Sequence, residues 1–146
     1  MIDIKLERLD FHLIDEIQMI LDDNYEETSQ FHQPLDIDWE MYMAIEGMFK
    51  AFVMRNMNRR VVGVLFFMVA PYPHIKTWIM AQQVTFYVEP DYRRHSLKML
   101  NYSEKYLTEI GVDIIVQAAR YNTGFCKVLD SKGYERADIT YTKRLN

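Results

Sequence analysis

The sequence has few of the residues that mark disulfide-rich, low-complexity or membrane-spanning proteins. A single cysteine, Cys126, excludes an internal disulfide and favours a reducing compartment. Only five glycines and four prolines occur among 146 residues, so the composition is not that of a repetitive or disordered chain. No apolar run approaches the roughly 20 residues that a membrane span requires. The N-terminus lacks the basic and apolar regions of a signal peptide, and we expect a cytoplasmic protein without a membrane partner.

Sequence signals for metal and nucleic-acid binding are missing as well. No CxxC or HxxxH spacing occurs, and the four histidines are scattered, at His12, His32, His74 and His95. The pairs Arg59-Arg60 and Arg93-Arg94 lack the density and the interleaved aromatic residues of a nucleic-acid surface. The net charge of −4 also disfavours a polyanionic partner. We therefore predict no metal site and no nucleic-acid partner.

The chain does contain enough apolar side chains for a packed core. Apolar residues make up 49% of the sequence and aromatic residues 14%, and the length suits one domain over residues 1–146. Charge is divided unevenly: residues 1–50 carry thirteen acidic and three basic side chains, whereas residues 51–146 carry eight acidic and fourteen basic ones. This division is typical either of two ligand surfaces of opposite sign or of a solvated acidic face.

Hydrophobic periodicity and turn residues predict an alternation of strands and helices. Asp10 is expected to cap the first helix, and Asp36 or Asp38 the second. Gly47 and Gly111 are expected to end helices. In chain order we predict a strand over residues 2–7, a helix over 11–21, a polar connection over 22–29, a helix over 39–47, strands over 48–54, 61–70 and 78–88 with a hairpin loop over 55–60, a helix over 95–110, a strand over 113–119, a helix that ends before residue 133, and a last extended segment over 134–145.

The junction after the strand predicted over 78–88 is the most informative stretch of the sequence. The strand pattern ends at Pro90, a basic turn follows, and an amphipathic helix pattern begins near Ser96. Such a junction presents free backbone N–H groups and the positive end of a helix, a geometry that binds phosphate. An ordinary strand–turn–helix joint with exposed arginines is the alternative.

The order of residues in this turn resembles a known motif. Val88-x-Pro90-x-Tyr92-Arg93, followed by a helix, is similar to the acetyl-CoA-binding turn of the GCN5-related N-acetyltransferases, the GNAT family. In that family the turn wraps the pyrophosphate of coenzyme A. The resemblance implies coenzyme contacts along this stretch and from the last helix, at Phe86, Tyr87, Val88, Arg93, Arg94, His95, Ser96, Leu97, Lys98, Met99 and Asn122.

A second stretch supports the same resemblance. Asn122-x-x-Phe125, continued to Gly133-Tyr134, is similar to the family's element beside the thiol end of the coenzyme, where the Asn contacts pantetheine. A plain helix cap is the alternative for Asn122. The resemblance covers nearly the whole chain and implies an α+β, three-layer GNAT-like fold, with a central, mostly antiparallel mixed sheet flanked by about four helices.

Three positions depart from the family's pattern. Ser96 and Lys98 stand where the turn has glycines, and Leu129 stands where many members have a tyrosine that protonates the leaving thiolate. The strand before the turn carries Gln82 and Gln83 but no carboxylate to act as general base. In the family a backbone N–H of this strand polarises the thioester carbonyl, and the amine attacks it directly.

Catalytic groups must therefore come from elsewhere in the chain. Glu27 and His32, with Glu26 beside them, are candidate bases because the segment after the first helix borders the acceptor cleft in this fold. Tyr121 is a candidate replacement for the missing tyrosine, together with Tyr87 and Tyr134. Simple exposure is the alternative for His32, and packing is the alternative for each tyrosine.

The sequence thus leads to two hypotheses for function. The first is an acetyl-CoA-dependent N-acetyltransferase that acts on a primary amine, with the acidic first third of the chain binding a cationic acceptor. The second is a catalytically inactive, GNAT-derived binding or structural protein, suggested by the missing glycines, carboxylate and tyrosine. Exposed strands and Met- and Tyr-rich elements make a homodimer a further expectation.

Overall fold

The computed structural model describes residues 1–29, 33–120 and 123–146. In chain order the elements are β1 (Ile2–Glu7), α1 (Phe11–Thr28), α2 (Trp39–Ala44), β2 (Phe49–Asn56), β3 (Val61–Pro71), β4 (Ile79–Val88), a 3₁₀ helix (Pro90–His95), α3 (Ser96–Glu109), β5 (Ile114–Val116) and α4 (Gly124–Ser131).

The strands form one five-stranded sheet in the order β1-β2-β3-β4-β5. The first four strands pair antiparallel with their neighbours, and β5 pairs with β4 in parallel. Only the β4–β5 connection needs to cross over the sheet, and α3 makes that crossover. The predicted α+β architecture with a mostly antiparallel mixed sheet is confirmed.

Helices cover both faces of the sheet. Side chains alternate along β2, so that Val53 packs with α1 on one face while Phe52 packs with α3 on the other. Ile17 of α1 and Leu100 of α3, both fully buried, lie at the centres of these two layers. Because β2 and β3 are buried on both faces, they read in the sequence as nearly continuous apolar runs.

Several predicted helix signals are confirmed. The carboxylates of Asp10 and Asp38 accept hydrogen bonds from the backbone N–H groups of Leu13 and Met41, at 2.8 and 3.0 Å. Gly111 follows α3 with a φ of 89°, a conformation that few residues other than glycine adopt. Strand β1 has the predicted bounds.

Helix α1 is longer than predicted. Residues 22–28, predicted as a polar connection, are helical, and Ser29 is the C-cap. No glycine or proline interrupts this stretch, and Asp22, Asp23, Glu26 and Glu27 are exposed on the outside of the helix, where no apolar residue is required. The polar composition was therefore a signal of exposure, and it did not indicate a loop.

Two other boundaries were wrong in the middle of the chain. Helix α2 ends at Ala44, and Gly47 lies in the turn that follows, without the positive φ of a glycine cap. Strand β2 runs through Asn56, so Arg55 belongs to the strand and not to the hairpin loop. Arg55 is in the sheet because two carboxylates surround it, a contact that local sequence does not reveal.

The predicted strand over 113–119 is shorter, and the extended segment over 134–145 does not join the sheet. β5 spans only Ile114–Val116, and no residue from 134 to 146 is assigned to a strand. The apolar side chains of that segment are largely exposed: Ile139 at 74%, Tyr141 at 87% and Leu145 at 84%. Alternation of apolar and polar residues favours a strand only where a sheet edge is available to pair with it.

Candidate functional site

The pairing of β5 with β4 ends partway along β4. The parallel ladder extends from the Met80–Ile114 pair to the Gln82–Val116 pair, whereas β4 continues to Val88. Beyond the ladder the Gln83 side-chain oxygen accepts a hydrogen bond of 3.1 Å from the backbone N–H of Ala118. We call the gap between residues 83–88 and residues 117–120 the β4 cleft. It exposes strand backbone for which β5 supplies no partner.

A β-bulge lies on β4 at the start of this cleft. On β3, Phe67 pairs with Gln83, but its neighbour Phe66 pairs with Thr85, so Val84 is an extra residue without a partner. Val84 is 40% exposed. A bulge redirects the backbone N–H and C=O groups next to it, and bulges are common beside active sites. Sequence reasoning missed this feature because no glycine marks it.

The strand leads into a turn that carries several positive charges. We call residues 90–98 the basic turn; it consists of the 3₁₀ helix and the first residues of α3. No side chain caps the N-terminus of α3, and the Ser96 N–H donates to the Arg93 carbonyl oxygen of the preceding 3₁₀ helix. Burial and the nearby charges of Arg94, Lys98 and the Met1 amino group lower the pKa of His95. These positive charges beside the positive end of a helix suit a phosphate.

The missing glycine at position 96 does not prevent this backbone geometry. Ser96 has φ −59° and ψ −40°, an ordinary helical conformation open to any residue. The side chains of this stretch differ in what they can reach. Leu97 is 48% exposed, but Met99 and Val88 are buried in the core, so only the backbone of these two residues is available to a ligand.

Arg93 differs from the other basic residues of the turn in having several partners. Its Nε donates to the Val88 carbonyl oxygen at 2.9 Å, and its Nη2 donates to both carboxylate oxygens of Glu27, at 3.2 and 3.0 Å. The guanidinium carbon also lies 5.4 Å from the centre of the Tyr87 ring. The guanidinium of Arg93, a residue predicted to contact phosphate, is thus directed towards α1.

This contact bears directly on Glu27 as a candidate base. Both of its carboxylate oxygens face the Arg93 guanidinium, so each already accepts a hydrogen bond. Tyr87, beneath the same guanidinium, is 8% exposed, and burial followed by the charge of Glu27 raises the pKa of its hydroxyl. Tyr87 therefore stays protonated at neutral pH.

The other side of the basic turn is held by a second arginine. Arg60 donates to both carboxylate oxygens of Glu89, at 2.6 and 2.9 Å, and the Glu89 backbone N–H donates to the Val62 carbonyl oxygen at 2.9 Å. These contacts fix the start of the turn to the β2–β3 hairpin. They also engage the carboxylate that lies nearest the end of β4.

Helix α4 packs against β4 beside the β4 cleft. Phe125 packs against Phe86 of β4, with ring centres 5.1 Å apart. Leu129, which replaces the family's tyrosine, is 8% exposed and belongs to the core. The Tyr134 hydroxyl donates to Glu104 at 2.8 Å, and burial together with this carboxylate raises its pKa. The Tyr134 hydroxyl is therefore bound to Glu104 of α3.

An acidic cavity lies at the C-terminal end of α1. Its volume is about 580 Å³, and we call it the acidic cavity. The residues that line it are Asp22, Tyr25, Glu26, Ser29, Gln33, Pro34 and Leu35. Glu27, the residue after Glu26, carries the contact to Arg93, so the cavity lies one residue from the link to the basic turn. The acidic excess of residues 1–50 thus contributes to a concave surface next to the turn.

Three of the predicted site residues, His32, Tyr121 and Asn122, lie outside the described residues. Within the described part of the chain, no group of three or more His, Cys, Asp or Glu side chains could hold a metal ion. Among the helices of residues 1–29, 33–120 and 123–146, none is long and apolar enough to cross a bilayer.

Comparison with known proteins shows the fold. No protein-family model and no curated protein matches the chain. Solved structures do match over almost the whole length. An aminoglycoside acetyltransferase from an uncultured soil metagenomic sample, in complex with sisomicin, has 18% identity and a TM-score of 0.72, covering 98% of this chain and 97% of its own.

Two further structures have acceptors of different kinds in their names. A ribosomal-protein-alanine N-acetyltransferase from Brucella melitensis has 18% identity and a TM-score of 0.75, covering 100% of this chain and 99% of its own. A glucosamine-6-phosphate N-acetyltransferase from Arabidopsis thaliana has 11% identity and a TM-score of 0.70, covering 99% of each chain. The chain therefore has the fold of these acetyltransferases, and the GNAT-like fold predicted from the turn motif is confirmed.

Proposed function

We propose that this protein is an acetyl-CoA-dependent N-acetyltransferase that acts on a primary amine of a cationic acceptor. The observation that carries the proposal is the continuity of two features: the open edge of β4, with its bulge at Val84, leads directly into the basic turn. An extended chain that ends in phosphates fits a strand edge followed by a positive helix end. The same fold in proteins named as acetyltransferases supports this assignment.

The basic turn would hold the phosphates of the coenzyme. Arg94 and Lys98 supply exposed positive charges, His95 can take up a proton, and the N-terminus of α3 adds the positive end of the helix dipole. The pantetheine arm would lie in the β4 cleft and pair with the strand backbone. Asn122 would contact this arm, as the family resemblance implies.

Chemistry in the cleft requires one acyl transfer. The lone pair of the acceptor nitrogen attacks the thioester carbonyl, a C–N bond forms, the C–S bond breaks, and the thiolate leaves with the coenzyme. Backbone N–H groups next to the Val84 bulge would stabilise the developing oxyanion. The nitrogen loses one proton and the thiolate gains one. His32 and Tyr121 are the proposed groups for these two steps, because Glu27 and Tyr134 are bound to other side chains.

The acidic cavity would bind the acceptor. Asp22 and Glu26 in its lining attract a cation, and a polyamine or an aminoglycoside carries both the charge and the primary amine. The neighbour solved with sisomicin shows that this fold can hold such a polycation in another protein. Substitution of both Asp22 and Glu26 by asparagine and glutamine should raise the KM for the acceptor and leave acetyl-CoA binding unchanged.

Calorimetry and turnover together test the proposal. We expect acetyl-CoA to bind with micromolar affinity, and R94A/K98A to weaken binding by about 1–3 kcal/mol because two charge-assisted contacts are lost. A panel of spermidine, sisomicin, lysine and an N-terminal peptide, assayed with radiolabelled acetyl-CoA, then identifies the acceptor. Absence of acetyl-CoA binding in the wild type would refute the proposal.

One observation favours the second candidate, an inactive binding protein. Leu129, packed in the core, stands where the resemblance predicts a tyrosine, β4 carries no carboxylate, and Glu27 is paired with Arg93. This candidate predicts acetyl-CoA binding without transfer to any amine of the panel. Turnover on any member of the panel, with a higher KM for acetyl-CoA in R94A/K98A than in the wild type, would exclude it.

A further inference from the structure

Two arginine–glutamate pairs flank the basic turn and connect it to different parts of the molecule. Arg60 and Glu89 join the turn to the β2–β3 hairpin, whereas Arg93 and Glu27 join it to the last turn of α1. The hairpin is already fixed by sheet pairing on both strands. The end of α1 has no such ladder, so its link through Arg93 has more effect on its position.

From this geometry we infer that Arg93 is a positioning residue for the acceptor side of the site and does not bind the coenzyme phosphates. The inference deepens the proposed function and rests on it. Arg93 contacts three groups on two elements: the Val88 carbonyl and the Tyr87 ring on β4, and the Glu27 carboxylate on α1. Nε and Nη2 of the guanidinium are both engaged by these partners, so β4 and α1 set its orientation.

Arg93 is placed where it can fix the wall of the acidic cavity. Glu26, Tyr25 and Ser29 of that wall are on the same helical turn as Glu27 or directly next to it. Rotation or fraying of this turn would displace the Glu26 carboxylate from the cavity. Val88 and Tyr87, the anchors at the other end of the link, are buried, so the sheet provides a fixed point.

The partition of roles within the turn follows from these contacts. Arg94 and Lys98 have exposed side chains, and Arg94 contacts only the Asp91 carbonyl oxygen, at 3.2 Å, among the hydrogen bonds of the described residues. Both can therefore turn towards phosphate without breaking a link between elements. Arg93 and Arg94 are adjacent in sequence, yet one serves the acceptor side and the other the coenzyme side.

A pair-deletion experiment separates these roles without changing the net charge. The variant R93A/E27A removes the α1 link, and the matched control R60A/E89A removes the hairpin link. Hydrogen–deuterium exchange over residues 22–28 should accelerate at least twofold in R93A/E27A and stay unchanged in the control. Acetyl-CoA affinity should remain within twofold of the wild type in both. With spermidine as the amine probe, the KM for spermidine should rise at least fivefold in R93A/E27A at unchanged kcat.

A charge exchange provides the rescue. R93E/E27R places the opposite charges in the same two positions and should recover part of the protection over residues 22–28. Tenfold weaker acetyl-CoA binding in R93A/E27A, with normal hydrogen–deuterium exchange of α1, would make Arg93 a phosphate ligand and overturn the inference. The inference would also be overturned if residues 22–28 were no better protected in R93E/E27R than in R93A/E27A. If the wild type binds no acetyl-CoA or does not acetylate spermidine, that result counts against the proposed function or acceptor, and the exchange readout alone then decides the link.

Discussion

Arg55 and Arg93 both tie helix α1 to the sheet, but in different surroundings. The Arg55 side chain is 10% exposed and donates to two carboxylates, Glu7 on β1 and Glu16 in the N-terminal half of α1. The Arg93 side chain is 45% exposed and donates to one, Glu27 at the C-terminal end of α1. Their comparison indicates that the N-terminal half of α1 is anchored for stability, while its C-terminal end is held by a contact that can be broken at low cost beside the proposed site.

The largest expected effect comes from removal of the buried arginine. R55A should lower the free energy of unfolding by about 3 kcal/mol, because two partly buried carboxylates lose their counter-charge and the Arg59 carbonyl oxygen loses a donor. Urea unfolding followed by circular dichroism measures this change. A loss below about 1 kcal/mol would mean that Arg55 is no more important than a surface arginine.

Acid should weaken the same anchor. The hydrogen bond from Arg55 lowers the pKa of Glu16 below its usual 4.5. A carboxyl whose pKa is lower in the folded state stabilises the protein above its unfolded pKa, and the stabilisation is lost as the pH falls through the folded value. The wild type should therefore lose more stability than E16Q between pH 5 and pH 3. Parallel curves for the two proteins would show that Glu16 does not contribute.

Coenzyme affinity should depend on the protonation of His95. The pKa of His95 lies below 6.5 in the free protein, so the side chain is neutral at pH 7. A bound phosphate favours the charged form, and binding should then take up a proton and strengthen as the pH falls from 8 to 6. We expect a gain of about threefold relative to H95Q, which experiences the same titration of the coenzyme phosphates. Equal pH profiles would place His95 outside the phosphate contacts.

Removal of the exposed arginine should have little effect on stability. R93A should change the free energy of unfolding by about 0.5 kcal/mol, since half-exposed ion pairs contribute little. S96G should change the free energy of acetyl-CoA binding by less than about 0.5 kcal/mol, because Ser96 already has helical dihedral angles and needs no glycine. Differential scanning calorimetry and titration calorimetry measure the two effects. A loss in R93A as large as that in R55A would remove the distinction between the two arginines.

The sequence was most informative where a function depends on consecutive residues. The basic turn, its strand and its helix were predicted because charge, proline and periodicity occur together between Val88 and Lys98. Contacts between distant residues were not predictable in this way. Glu27 and Arg93 are 66 positions apart, and nothing local indicates that they meet. The cleft was likewise invisible, because it depends on where β5 stops pairing and on an extra residue, Val84, that has ordinary strand character.

Errors in the fold have the same origin. The acidic side chains of residues 22–27 lie on the outside of a helix, and residues 134–145 alternate without a partner edge. The polar residues of the first stretch do indicate exposure, and the second stretch does alternate between apolar and polar residues. The element that each pattern belongs to was decided by tertiary contacts, which override propensity.

Hydrogen–deuterium exchange with and without acetyl-CoA tests the central claim most directly, since it locates the coenzyme on the chain. We expect acetyl-CoA to protect the amides of residues 84–88, along the β4 cleft, and of residues 94–99 at the start of α3, with no comparable change in the β2–β3 hairpin. Protection confined to other parts of the chain, or none at saturating acetyl-CoA, would contradict the account.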